Sequence, residues 1–195
     1  AVAAFTRLNV GKIPLTNDEL IRALFLRRAR ATGGKSLNLK IAYEWDLLEK
    51  GLQREDFWCF LSNDTAHRGN RIGYLFDLVA REGGMTENGN PYGTFYHFSQ
   101  KLSDKNTDPE KEWLAVKRAS MLLEEWFEDR RLYHLVGFLV WNGLDINELR
   151  ALAIGTTKRA FREKLRERVF HFVMNGDALG GLSPDALRER ISGWY

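Results

Sequence analysis

Apolar residues recur every three or four positions along most of this chain, and no stretch of useful length alternates apolar with polar. A chain with that period buries one stripe of each helix and does not supply the alternating faces of a sheet. From Asn17 to Ala31 the apolar face is Leu20, Ile21, Leu24, Phe25 and Ala29, with Arg22, Arg27, Arg28 and Arg30 on the other face. Thr32-Gly33-Gly34 stops this helix, and Ser36 is placed to cap a second one. That second helix has Leu39, Ile41, Ala42, Trp45, Leu48 and Leu52 as its inward face, opposite Asp46, Glu49 and Lys50.

The same period carries through the rest. A short aromatic segment, Phe57-Trp58-Cys59-Phe60-Leu61, precedes a helix from Arg71 to Arg81 that Glu82-Gly83-Gly84 closes. The stretch from Met85 to Thr94 is rich in Gly and Asn and is the longest irregular connection. A helix begins at Phe95, and Asp108-Pro109-Glu110 opens another with proline at its first position. Its inward face is Trp113, Val116, Ala119, Leu122, Leu123 and Trp126. Leu132 to Trp141 is apolar nearly all round, as expected of a central, buried helix. Helices from Asp145 to Ile154 and from Thr157 to Met174 follow, the second with Phe161, Leu165, Val169, Phe170 and Val173, and a short one runs from Ser183 to Gly193. The expected fold is all-α, about eight or nine helices in one compact irregular bundle.

With 195 residues and 44% hydrophobic content the chain can bury a core of its own, and six Trp and twelve Phe must supply much of it. A single cysteine, Cys59, excludes an internal disulfide and points to a reducing, cytoplasmic setting. No apolar run is long enough to span a membrane, and no signal peptide is evident. The first residue is not Met, which suggests a piece of something longer. A net charge of +3 permits a nucleic-acid partner without requiring one.

The most specialised residues lie at the start, where Phe5-Thr6-Arg7-Leu8-Asn9-Val10-Gly11-Lys12-Ile13-Pro14-Leu15 runs into Thr16. Thr16 and Glu19 have the spacing of a capping box. Arg7 offers a fork for phosphate and Asn9 both a donor and an acceptor, although Asn9 can equally order its own turn. Farther on, Ala29 to Ser36 (A-R-A-T-G-G-K-S) loosely fits a phosphate-binding loop, but a charged helix precedes it where a buried strand is needed. A glycine stop followed by a serine cap is the better reading.

His67, His97, His134 and His171 have no ligand-set spacing, so no metal site is expected, and His134 and His171 read as core or interface residues. Glu124, Glu125, Glu128 and Asp129 read as a solvated face. Two basic faces remain. Arg22, Arg27, Arg28, Arg30 and Lys35 form the one with fewer acids, and Lys158, Arg159, Arg162, Lys164, Arg166 and Arg168 form the other. The first gives the DNA-contact candidates.

Several separated motifs in order resemble those of the DGQQR-motif family, domain of unknown function 262, the N-terminal half of GmrSD-type modification-dependent restriction endonucleases. They are Phe5-Thr6-Arg7-Leu8-Asn9-x-Gly11-x-Ile13-Pro14-Leu15 with Glu19-Leu20, then Ile41-Ala42-x-Glu44-Trp45-Asp46, then Phe57-Trp58-x-Phe60-Leu61 and Arg71-Ile72 with Tyr74 to Leu78. The resemblance implies a defence protein that joins a ParB/sulfiredoxin-like nucleotide-hydrolysing domain, a helical region and often an HNH-type nuclease, acting on modified DNA. It implies nucleotide contact at Phe5, Arg7 and Asn9, and a nucleoside triphosphate and divalent metal for the parent protein.

On this reading residues 1–15 end a catalytic domain that is otherwise missing, and 16–195 form the helical domain. The family's Q-x-R and DGQQR elements do not occur here, so no catalytic residue is assigned and the chain alone is expected to be inactive. The expected partners are DNA, modified or not, and the catalytic and nuclease domains of the same protein. The competing expectation is a purely structural helical module whose aromatic surplus lines domain or subunit contacts.

Overall fold

The computed structural model describes residues 15–62, 71–86 and 89–174, and the fold over them is all-α. The opening motif with Phe5, Arg7 and Asn9, and the helix expected from Ser183, lie outside the described residues. The described elements are α1 (Asn17–Leu52), α2 (Glu55–Leu61), α3 (Arg71–Glu82), α4 (Gly93–Ser103), α5 (Pro109–Glu128), α6 (Arg130–Trp141), α7 (Ile146–Ala153) and α8 (Lys158–Met174). Among the described residues no helix is long and apolar enough to cross a membrane.

The chain divides into two compact units: Ala1–Gly51 with His67–Ser120, and Leu52–Ala66 with Met121–Tyr195. In the first, α1 is two helices, because Gly34 takes φ 68° and ψ −155° and breaks the helical path. Only glycine enters this region without steric cost. The chain reverses there. Arg22 reaches Asp46 at 2.7 Å and Asn38 donates to the Leu26 carbonyl at 2.8 Å, contacts that need two antiparallel arms about Gly34. The predicted glycine stop is therefore a hairpin apex, and Ser36 forms no cap hydrogen bond in it. At the start of α1, Glu19 accepts from the Thr16 backbone N–H at 2.8 Å and from its hydroxyl at 3.1 Å. The carboxylate half of the capping box is formed, but Thr16 spends its hydroxyl on Glu19 instead of on the first turn.

Each arm contributes one ring to a buried cluster, Phe25 and Trp45, and α3, α4 and α5 add Phe76, Phe98 and Trp113. Trp45 stacks on Phe76 at 4.8 Å and lies 5.9 Å from Trp113, while Phe25 meets Phe98 at 5.7 Å and Trp113 at 5.6 Å. Such offset and edge-on pairs add to the area they bury. The Trp113 indole N–H, buried with the ring, donates to Glu44 Oε2 at 2.6 Å, and Lys117 donates to Oε1 at 2.7 Å. Burial alone would raise the Glu44 pKa, but the bonds from Lys117 and Trp113 outweigh it and hold the carboxyl below its ordinary value.

The inward face of the second arm differs from expectation at Leu39, which is 55% exposed. Asn38 takes the place facing the first arm, and that turns Leu39 outward. In the connection after α3, Asn17 Nδ2 donates to the Pro91 carbonyl, Thr94 bonds Asp77, and α4 starts at Gly93, two residues before the expected Phe95.

In the second unit, Phe57 and Phe60 of α2 pack edge-on against Phe127, and Phe60 also stacks on Tyr133 at 5.3 Å. Trp126 stacks on Phe161 of α8 at 4.9 Å. Asp129, expected on a solvated face, caps α6 by accepting from the N–H groups of Arg131 and Leu132. Lys158 bridges it to Glu125, at 2.9 Å from each. α6 buries Leu132, Leu135, Val136, Phe138, Leu139 and Val140 as predicted, but leaves Trp141 77% exposed. Phe170, expected inward, is also exposed, as is His171.

Two outcomes follow. Glu44→Ala should cost about 1–3 kcal/mol by leaving the buried Trp113 N–H without an acceptor, whereas Glu44→Gln should recover much of that loss in urea titrations. Asp129 is held below the ordinary carboxylate range chiefly by the Lys158 ammonium, then, against burial, by the Leu132 and Arg131 N–H groups. Its contribution of about 1 kcal/mol as a cap should therefore be complete above that range and fade as pH falls through the lowered value. The melting-temperature gap between the wild type and Asp129→Ala should shrink accordingly.

Candidate nucleic-acid interface

The hairpin of α1 carries no carboxylate between Glu19 and Glu44, while Arg22, Arg27, Arg28, Arg30, Lys35 and Lys40 fall within that span. The structure sorts these cations by what they touch.

Arg22 is used internally. It pairs with Asp46, lies 4.0 Å from Glu49, and sits 5.6 Å over the Trp45 ring, tying the arms together. Lys40 pairs with Glu110 at 2.6 Å. Arg28 is a clamp. Its Nη2 donates to the carbonyls of Asp104 and Lys105 at 2.9 Å each and of Thr107 at 3.3 Å, holding the α4–α5 connection against the hairpin. Those carbonyls follow the end of α4, where a cation is favoured.

Arg27, Arg30 and Lys35 are exposed and have no ion-pair partner among the described residues. Arg27 and Arg30 are three residues apart and share a helix face, and Lys35 follows the Gly34 apex. Two guanidinium forks and an ammonium on a stretch of chain without carboxylates can hold phosphate oxygens. The exposed Lys105, which the sequence does not connect to this region, is brought to it through the bond from Arg28 to its carbonyl. The nearby acids have local duties: Asp104 Oδ1 accepts from the Asn106 N–H, and Asp108 Oδ1 from the Glu110 N–H that begins α5.

The A-R-A-T-G-G-K-S run is this apex, with helix on both sides, so the strand-to-helix turn of a phosphate loop is not formed. Half of the α8 basic face is occupied, Lys158 by two carboxylates, Arg166 by Glu163 at 2.9 Å and Lys164 by the Leu152 carbonyl at 3.4 Å, while Arg159, Arg162 and Arg168 have no ion-pair partner among the described residues. Among the described residues no three His, Cys, Asp or Glu side chains group as a metal site.

Two clefts were not legible in the sequence. One, of about 300 Å³, is lined by Asn17, Asp77, Arg81, Pro91 and Thr94 in the first unit. The other, of about 320 Å³, is lined by Cys59, Phe60, Tyr133, His134 and Trp141 in the second. The motif residues within the described segments serve packing. Ile41, Trp45, Phe57, Trp58, Phe60 and Leu61 are buried, Glu44 anchors Trp113, and Asp46 pairs with Arg22.

No protein-family model, no curated protein and no solved structure matches this chain.

The sorting of the arginines is measurable. Arg28→Ala should lower the free energy of unfolding by about 1–2 kcal/mol, because its bonds to the carbonyls after α4 are removed. Arg27→Ala and Arg30→Ala should stay within about 0.5 kcal/mol of wild type in the same urea titrations.

Proposed function

We propose that this chain is a helical portion of a nucleotide-dependent DNA-restriction protein, as its motifs suggest, and that it contacts DNA phosphates through Arg27, Arg30 and Lys35. The observation that supports this reading is the span of the hairpin between Glu19 and Glu44, which has no carboxylate and on which those three cations are exposed while Arg22, Arg28 and Lys40 are engaged in the fold. Contact of this kind positions DNA and carries little sequence information, because every phosphate presents the same oxygens. The chain then works beside the catalytic elements of a larger protein, which would supply nucleotide hydrolysis and cleavage.

A labelled duplex titrated by fluorescence anisotropy at low salt tests this. Binding is expected, with log affinity falling linearly in log salt. Charge reversal at Arg27, Arg30 and Lys35 should weaken it similarly for every sequence. It should also flatten the salt slope by about 0.9 for each phosphate no longer neutralised. Absence of binding at low salt would overturn the proposal and favour a helical module that serves only domain or subunit contacts.

A further inference from the structure

The outward face of the α1 hairpin carries more than charge. Leu39, Tyr43 and Leu47 are 55%, 67% and 51% exposed, and their spacing of four places them along one side of the second arm. In each arm the ring buried in the core fixes which side faces out. Arg27 lies two residues beyond Phe25, and Tyr43 two residues before Trp45, each about 200° around the helix from its buried ring. The two core rings enter the same cluster, so Arg27 and Tyr43 face away from it on neighbouring arms. The cross-arm contacts of Arg22 with Asp46 and of Leu26 with Asn38 set the register, so Arg27 is level with Leu39 and Arg30 lies nearer the apex. On this register Tyr43 is level with Ala23 and Leu47 with Glu19, so Arg27, Arg30 and Lys35 gather toward the apex and the apolar, aromatic stripe runs from beside Arg27 along the other arm.

A duplex has limited use for such a stripe, because its bases are stacked on one another and present only their edges in the grooves. A single strand offers both things this face can bind, a phosphate backbone and unpaired bases with open π-faces. We infer that the outward face of the hairpin binds single-stranded nucleic acid in preference to duplex. Tyr43 stacks on an unpaired base between Leu39 and Leu47, and Arg27, Arg30 and Lys35 hold the adjoining phosphates. This rests on the phosphate-contact reading above and narrows it. The absence of carboxylates on the two arms between Glu19 and Glu44 suits an anionic partner, and the stripe selects which anion.

The test compares labelled oligothymidylate with a mixed-sequence duplex of equal length at low salt. Oligothymidylate should bind about tenfold tighter, the order of one stacked base. Tyr43→Ala should remove most of that advantage and leave duplex binding unchanged, whereas Tyr43→Phe should keep it. Arg27→Glu with Arg30→Glu should weaken both ligands, and circular dichroism of each variant should match wild type. Equal affinities, or a preference for duplex, would overturn this inference and leave the phosphate-contact reading standing. Failure to bind either ligand would overturn both. Sedimentation showing self-association that Tyr43→Ala abolishes would assign the stripe to contacts between copies, and would likewise overturn it.

Discussion

The first unit depends on five aromatic rings meeting in one place. Phe25 and Trp45 come from opposite arms of one hairpin, and they meet Phe76, Phe98 and Trp113 from three other helices. A helical hairpin is not held by its turn, since Gly34 only permits the reversal and supplies no attraction. The arms stay together because both rings leave water for the same cluster, where the area they bury is the largest favourable term available. Glu44 shows the constraint this sets. Burying an indole N–H beside the rings requires an acceptor, and the acceptor carboxylate is in turn paired with Lys117.

That arrangement also shapes the candidate site. With Phe25 and Trp45 inside, the helical period leaves Arg27 and Tyr43 outside. Arg22 and Arg28 fall between these two directions, where they meet Asp46 and the carbonyls after α4. Four arginines that look equivalent in the sequence thus divide into two that stabilise the fold and two that are open to a ligand. The distinction is of partners, not of residue type, because a guanidinium with its donors already committed has less to offer a phosphate.

The helical class, the glycine break after Ala31 and the start of α5 at Asp108-Pro109 were legible because each rests on neighbours within a few residues. Asp108 caps α5 and Pro109 opens it as their positions suggest, whereas Asp145, expected as the first residue of a helix, is the cap just outside α7. Leu39, Phe170 and Trp141 were not, because hydrophobicity sets only which residues favour burial. Whether a given apolar residue finds cover depends on which helix lies beside it, and the two-arm register gave that place to Asn38. The Asp129 cap was hidden for a related reason, in that its role needs the break between α5 and α6, which sequence shows only as a slight interruption.

The sequence by itself determined that this chain is built of helices, that the first of them breaks at Gly33-Gly34, and that the span around this break is basic without acids. Periodicity, glycine's access to positive φ and net charge are local properties, and they survive any arrangement of the helices. Only the tertiary structure decided which cations are committed and which are exposed, and that Tyr43 and its neighbouring leucines share the outward surface with Arg27 and Arg30. Those facts depend on the register between two arms and on where the aromatic cluster lies, and both are set by contacts between residues far apart in the chain.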